Sequence, residues 1–228
     1  MNDRVSCIVP VFNGQRFLAE TLESILAQTS PPAEIIVVDD GSTDDSAKIA
    51  ASYGDSIILL QQANAGPSAA RNRGIETASG NLLAFLDADD LWYPEKLALQ
   101  TSFLRKHPDI DLCLAHYSNF WAPELAEEEA RYRDQPLSRP SASFNIDTLV
   151  ARRKVFAETL FNEDMRQGEN TDWFMSVLRQ GRRAEVLPEV LARRRFHAAS
   201  SSRIGAEDNR TALLANLKTW LDDRREKE

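Results

Sequence analysis

The sequence predicts an α/β fold: a mostly parallel central sheet flanked by helices. Three observations predict it. Short apolar runs without polar alternation recur through the first half of the 228-residue chain. A segment with helical spacing follows most of them, and Pro or Gly punctuates the joins. Strands that are apolar on both faces belong in parallel sheets covered by helices.

Taken in order, Val5 to Val9 is the first strand, and Pro10 is expected to end it. Asn13 is a candidate N-cap for a helix carrying Phe17, Leu18, Leu22, Ile25 and Leu26 on one face, broken by Pro31-Pro32. Glu34 to Asp39 holds Ile35-Ile36-Val37-Val38, a second strand buried on both sides. Ser42 with Asp45 resembles a capping box for a helix through Ala51. Ile57 to Leu60 makes the third strand, Gly66-Pro67 opens the next helix, and Leu82 to Leu86 is the fourth strand. The second half is less regular. A helix from Pro94 to Lys106 precedes a strand over Asp111 to His116, then a charge-dense loop or helix over Glu124 to Asp134 and a polar linker over Ser138 to Ser143. Asp172 to Arg179 reads as a helix burying Trp173, Phe174, Val177 and Leu178, and Ala184 to Leu191 as a strand. An amphipathic helix over 208–225 uses Leu213, Leu214, Leu217 and Leu221.

Composition narrows the function. Hydrophobic residues are 43% and charged residues 27%, as in ordinary globular chains. A formal net charge of -8 argues against a general nucleic-acid or anionic-membrane surface, so an anionic substrate needs local cations. Cys7 and Cys113 both lie in apolar strand patterns and read as reduced core residues. No signal peptide or membrane-spanning run of about 20 apolar residues is visible, so the expected compartment is the cytoplasm, at the inner face of the membrane if the acceptor is lipid-linked.

The chemistry concentrates in Phe85-Leu86-Asp87-Ala88-Asp89-Asp90, an apolar run ending in three carboxylates. Asp87 and Asp89 are spaced i, i+2, which in extended backbone puts them on one side, where they repel unless a proton or cation intervenes. Mg²⁺ or Mn²⁺ suits such oxygens, using one or two carboxylates plus substrate phosphates. A solvated acidic turn is the competing reading of an isolated Asp-x-Asp. Asp39-Asp40 also falls at a strand end, and ligands of open parallel sheets bind outside the carboxyl ends of strands. Arg71 and Arg73 offer guanidinium forks for a phosphate or a solvated helix face, and Arg193-Arg194-Arg195 offers a diphosphate or acceptor clamp or a charged edge strand.

Four ordered motifs carry a family resemblance: Val5-Ser6-Cys7-Ile8-Val9-Pro10-Val11-Phe12-Asn13, Ile36-Val37-Val38-Asp39-Asp40-Gly41-Ser42-Thr43-Asp44, Asn64-Ala65-Gly66-Pro67-Ser68-Ala69-Ala70-Arg71-Asn72, and the acidic run. Together they resemble the family 2 glycosyltransferases, and Gly168 to Trp173 with Arg193 to His197 extends the likeness to about residue 200. The resemblance implies a GT-A catalytic domain over 1–200, with a nucleotide-binding half (1–110) and an acceptor-binding half (111–200), followed by a C-terminal amphipathic helix (201–228). A membrane-surface or homodimer role for that helix stays open.

The implied activity is inverting transfer of a sugar from a nucleotide diphosphate donor, a UDP-sugar, to a hydroxyl of a saccharide or lipid-linked acceptor. By resemblance, Asp40 bonds the base in a pocket of backbone near Pro10 and Val11, Arg71 assists donor binding, Asp87 approaches the ribose, and Asp89 with His197 holds Mn²⁺ or Mg²⁺. The family usually carries Glu-Asp at the catalytic base; this chain has Glu169-Asn170, and an amide has no basic form at neutral pH. Glu169 is the expected base and Asp172 the alternative, although Asp172 also suits a simple N-cap. A non-catalytic nucleotide-sugar-binding or partner subunit is the reading from a different class. A nucleotidyltransferase is disfavoured because Asn13-Gly14-Gln15-Arg16 is too short to cradle a triphosphate.

Overall fold

The structure is a computed structural model that describes residues 3–142, 144–165 and 168–200. The helix expected over 208–225 lies outside them. Among the described residues the strands form one nine-stranded sheet. β1 (Val5–Val11), β2 (Glu34–Asp39), β3 (Ile58–Gln61) and β4 (Leu82–Phe85) follow the pattern anticipated for the first half. They pair in parallel in the spatial order β3-β2-β1-β4. Between them run α1 (Leu18–Leu26), α2 (Ser46–Ala51) and α3 (Pro67–Thr77).

Alternation along β1 separates two cores. Cys7, Val9 and Val11 pack with Leu18, Leu22 and Ile25 of α1. Ile8 faces the opposite side, against Ala70 and Ile75 of α3. α3 has little amphipathic character and packs instead by close approach. A Cβ at Gly74 would stand 2.5 Å from Cγ2 of Ile8, so the helix can lie on β1 only with hydrogen there.

Four local expectations are corrected. Pro10 does not end β1; it pairs with Val38 inside the strand. β1 bonds β4 through the Ile8 carbonyl and β2 through the Val11 carbonyl, so the missing Pro10 N–H faces the β4 side, where pairing has stopped at Phe85. Asn13 is not an N-cap: its φ is +52°, and its side chain accepts from the Thr43 N–H, tying two loops together. Ser42 is not a cap either, since its hydroxyl accepts from the Asn13 N–H and Asp44 serves the Ser46 N–H. Leu26 is exposed, not buried, because α1 presents its last turn to solvent.

The second half completes the sheet with mixed strands. β5 (Leu91–Trp92) follows the acidic turn, and α4 (Lys96–Lys106) leads to the long β6 (Leu112–Trp121). α5 (Ala126–Tyr132) buries none of its side chains, as its charge density suggested. β7 (Ser141–Ala142) pairs with β6 inside the expected polar linker. β8 (Val150–Arg152) runs antiparallel to both β4 and β6, joining the halves. After α6 (Arg153–Phe156) and α7 (Glu169–Arg179), β9 (Ala184–Phe196) pairs in parallel with β6 and antiparallel with β5. α7 buries Trp173, Phe174 and Val177, with Leu178 only half-buried. Trp173 stacks on Phe156 and Phe161, joining α7 to the face that α3 covers.

Candidate active site

The carboxyl ends of β1, β2 and β4 open onto one rim, and each expected donor residue stands there. Val11 is buried at the end of β1, and its carbonyl accepts from the Asp40 N–H at 2.8 Å. Phe12, the next residue, is half exposed. Asp40 is itself buried. Its Oδ1 accepts from Gln62 Nε2 at 2.8 Å and the Ala65 N–H at 2.9 Å, and its Oδ2 from the Gly66 N–H at 2.8 Å. In this arrangement the carboxylate shapes the loop that starts α3. Gly41 makes the turn beyond it at φ +77°, where a Cβ would also meet the Asn64 nitrogen at 2.8 Å.

The acidic run is a turn rather than extended backbone, closed by the Asp90 N–H on the Asp87 carbonyl at 3.1 Å. The two carboxylates therefore meet different partners instead of lying side by side. Asp87 Oδ1 accepts from Arg71 Nη2 at 2.7 Å, and Arg71 Nη1 donates to Glu169 Oε1 at 3.0 Å. The Arg71 side chain is 3% exposed. Burial by itself disfavours its charge, but Asp87 and Glu169 overcome this and hold its pKa above the ordinary value. Both arms of the expected phosphate fork are thus committed to carboxylates. Arg73 instead donates to the Gln61 carbonyl.

Asp89 Oδ2 lies 2.9 Å from His197 Nε2, joining residues 108 apart in sequence. β5 and β9 make this meeting possible. Pairing Leu91 with Arg193 brings the end of the acidic turn beside the end of β9. Arg195 secures it: its N–H donates to Asp90 Oδ1 at 2.6 Å, its Nε to the Asp89 carbonyl at 2.7 Å, and its Nη2 to Glu20 at 2.6 Å. The imidazole is held by the Phe17 ring at 4.8 Å and by a turn in which the His197 N–H donates to Ser200 Oγ.

Sequence reasoning gave no role to Asp147 or Thr171, which with Asp90 and Asn170 line an open cleft of about 230 Å³ beside Asp87. Asp147 comes from a single 3-10 turn before β8, and its Oδ1 accepts from the Asp87 N–H at 2.8 Å. A lone acid inside the apolar run Ile146 to Val150 was the only signal for it. Burial, then neighbouring carboxylates, pushes both Asp90 and Asp147 above the ordinary carboxylate range. Glu169 is buried against Arg71, and Asp172 stands half-buried in the first turn of α7. Among the described residues neither is part of the cleft lining; Asn170, between them, is.

Five carboxyl groups (Asp87, Asp89, Asp90, Asp147 and Glu169) thus share this corner with three guanidiniums, Arg71, Arg194 and Arg195. Oxygen donors crowded in this way suit a divalent cation. Asp89 Oδ2 and His197 Nε2 are hydrogen-bonded to each other at 2.9 Å, which puts an oxygen and a nitrogen donor side by side. No cluster of three or more His, Cys, Asp or Glu suited to a metal occurs among the described residues. A carboxylate and an imidazole fit an ion that completes its shell with substrate phosphates and water.

Fold and rim together define a GT-A glycosyltransferase architecture. S. aureus TarS 1-349 in complex with UDP-GlcNAc superimposes with a TM-score of 0.71 at 22% identity, covering 86% of this chain and 60% of that one. TarS 1-349 in complex with UDP gives 0.70 at 22%, with 85% of this chain and 60% of that one covered. The chain belongs to glycosyltransferase family 2, whose sequence pattern matches residues 6–161. An uncharacterized glycosyltransferase of Rickettsia prowazekii (strain Madrid E) is 44% identical over 214 residues, which is 87% of this chain and 65% of that protein. The Bacillus subtilis (strain 168) protein EpsJ, also an uncharacterized glycosyltransferase, is 32% identical over 206 residues, 82% of this chain and 59% of its own length. One from Rickettsia felis (strain ATCC VR-1525 / URRWXCal2) is 32% identical over 187 residues, 76% of this chain but only 30% of the relative. The chain therefore spans between about a third and two thirds of these curated relatives. Among the described residues, no helix is long and apolar enough to cross a membrane.

Proposed function

We propose that the chain catalyses metal-dependent, inverting transfer of a sugar from a UDP-sugar to a hydroxyl of a saccharide or lipid-linked acceptor. The observation that carries this reading is the Asp89–His197 pair at the rim, within a corner crowded with carboxyl groups. The choice of UDP is supported by the likeness to TarS, whose structures contain UDP and UDP-GlcNAc.

In this reading the base enters beside the Pro10 and Val11 backbone and Asp40, and Asp87, aimed by Arg71, meets the ribose. Asp89 and His197 hold Mn²⁺ or Mg²⁺, and the ion supplies Lewis-acid neutralisation of the leaving diphosphate. Arg195 fixes the turn that presents Asp89. Glu169 is the proposed base: Oε1 is occupied by Arg71, and Oε2 has no hydrogen-bond partner among the described residues. Asp172 is the second candidate.

Asn170 favours one alternative, a donor-binding partner subunit without turnover, because an amide occupies the position where the family usually has its base. UDP release from UDP-GlcNAc, UDP-glucose and UDP-galactose, measured with an array of saccharide acceptors, tests both. General-base removal costs about 10²–10⁴ in rate, and that loss is expected in Glu169→Gln. Unchanged transfer in both Glu169→Gln and Asp172→Asn would refute the assignment of either as base. Tight UDP binding without transfer to any acceptor would favour the partner subunit.

A further inference from the structure

The cations of the site are paired, with one exception. Arg71 is held by Asp87 and Glu169, Arg195 by Glu20 and the Asp89 carbonyl, and His197 by Asp89. Arg194 lines the cleft, yet among the described residues its guanidinium has neither an ion-pair nor a hydrogen-bond partner; it lies 5.3 Å over the Phe196 ring. Strand alternation sets which of the three arginines borders the cleft. Arg193 and Arg195 both stack on Phe120, at 4.2 and 4.5 Å, while Arg194 takes the other face of β9. In the same cleft, Asn170 Oδ1 is buried without a hydrogen-bond partner among the described residues. A buried acceptor left unsatisfied costs stability until a donor reaches it. Tyr117 and the half-exposed Phe144 complete the lining with apolar faces.

We propose that Arg194 reads an anionic group, a carboxylate or a phosphate, carried by the acceptor, while Asn170 Oδ1 accepts a hydrogen bond from a hydroxyl of the same molecule. The proposal deepens the glycosyltransferase reading of this cleft and rests on it. The cleft carboxylates do not preclude an anion. The Asp87 charge is answered by Arg71, Asp90 Oδ1 is turned to the Arg195 N–H, and Asp147 Oδ1 to the Asp87 N–H. A guanidinium is suited to both anions, since its planar fork matches either one bidentately.

Methyl β-D-glucoside, methyl β-D-glucuronide and methyl β-D-glucoside 6-phosphate, titrated into the full chain with UDP and Mn²⁺ present, test this. At least one anionic probe is expected to bind about tenfold more tightly than the neutral glucoside, and the two anionic arms show which group is preferred. Arg194→Gln is expected to erase that preference with UDP affinity unchanged, which also shows that the variant is folded. Asn170→Ala is expected to weaken all three probes alike. Equal binding of the three probes, a preference that survives Arg194→Gln, or an Arg194→Gln defect confined to UDP would each overturn the proposal. Titrating the probes without UDP separates it from the donor reading: a chain that binds no nucleotide but keeps the Arg194-dependent preference disproves the donor and leaves this site standing.

Discussion

The two halves of the sheet reach the same rim by different routes. In the first, β1, β2, β3 and β4 lie in one parallel block, and its site residues, from Pro10 and Val11 to Asp40, Asp87 and Asp89, sit at or beside the strand ends. In the second, Asp147, Glu169, Arg194, Arg195 and His197 arrive from a 3-10 turn, a helix start and the end of a 13-residue strand. The proposed donor side is thus built by topology, and the other side by specific long-range bonds. Damage to the first should be felt as lost packing, and damage to the second as lost charge geometry.

The largest effect is expected where the halves are tied together. Arg71→Leu leaves Glu169 buried and Asp87 part-exposed without their partner. Breaking a buried ion pair costs about 3–5 kcal/mol, and the exposure of Asp87 puts the expectation at about 3 kcal/mol, read by urea unfolding. A loss under about 1 kcal/mol would mean that the joint is not electrostatic. Next comes Gly74→Ala, a probe of packing alone. Its Cβ must displace Ile8, so destabilisation of about 1–3 kcal/mol is expected, with affinity for an acceptor-side probe unchanged.

Smaller effects come from buried titratable groups. Burial, then nearby carboxylates, raises Asp147 above its unfolded value. The folded state therefore keeps a proton that the unfolded chain has released, and stability falls as pH rises out of the ordinary carboxylate range toward neutrality. Asp147→Asn should flatten that fall in unfolding measured from pH 4 to 7. Lys96 is fully buried, and its Nζ donates to Gln100 Oε1 at 2.8 Å. Burial pulls its pKa down to about 7. The unfolded chain is the more protonated between that value and the ordinary lysine range, so stability rises with pH across this window, and Lys96→Met should remove the rise.

The contrast between the halves also sets what could be read from residues alone. Continuous apolar runs such as Ile35-Ile36-Val37-Val38 announce buried strands, and Asp40 and Asp87 are visible as acids at their ends. At Asn13 and Ser42 the side-chain chemistry that suits a helix cap serves a loop-to-loop bond instead. Asp147 is unreadable as a site residue, since only the packing of the turn before β8 brings it to Asp87, and Asn170 is legible only through the family's base motif. The meeting of Asp89 with His197 came from family resemblance, and no local pattern in either segment encodes the β5–β9 pairing that produces it.

The account turns on whether that pair holds a cation for the donor. Calorimetric titration of UDP into the chain, with Mn²⁺ and then with EDTA, tests it most directly, alongside Asp89→Asn and a thermal scan. Saturation at 100 times the dissociation constant adds about 2.7 kcal/mol of stability. The account predicts tight binding and that stabilisation with Mn²⁺, and loss of both with EDTA or in Asp89→Asn. Equal UDP affinity with and without the chelator would contradict it.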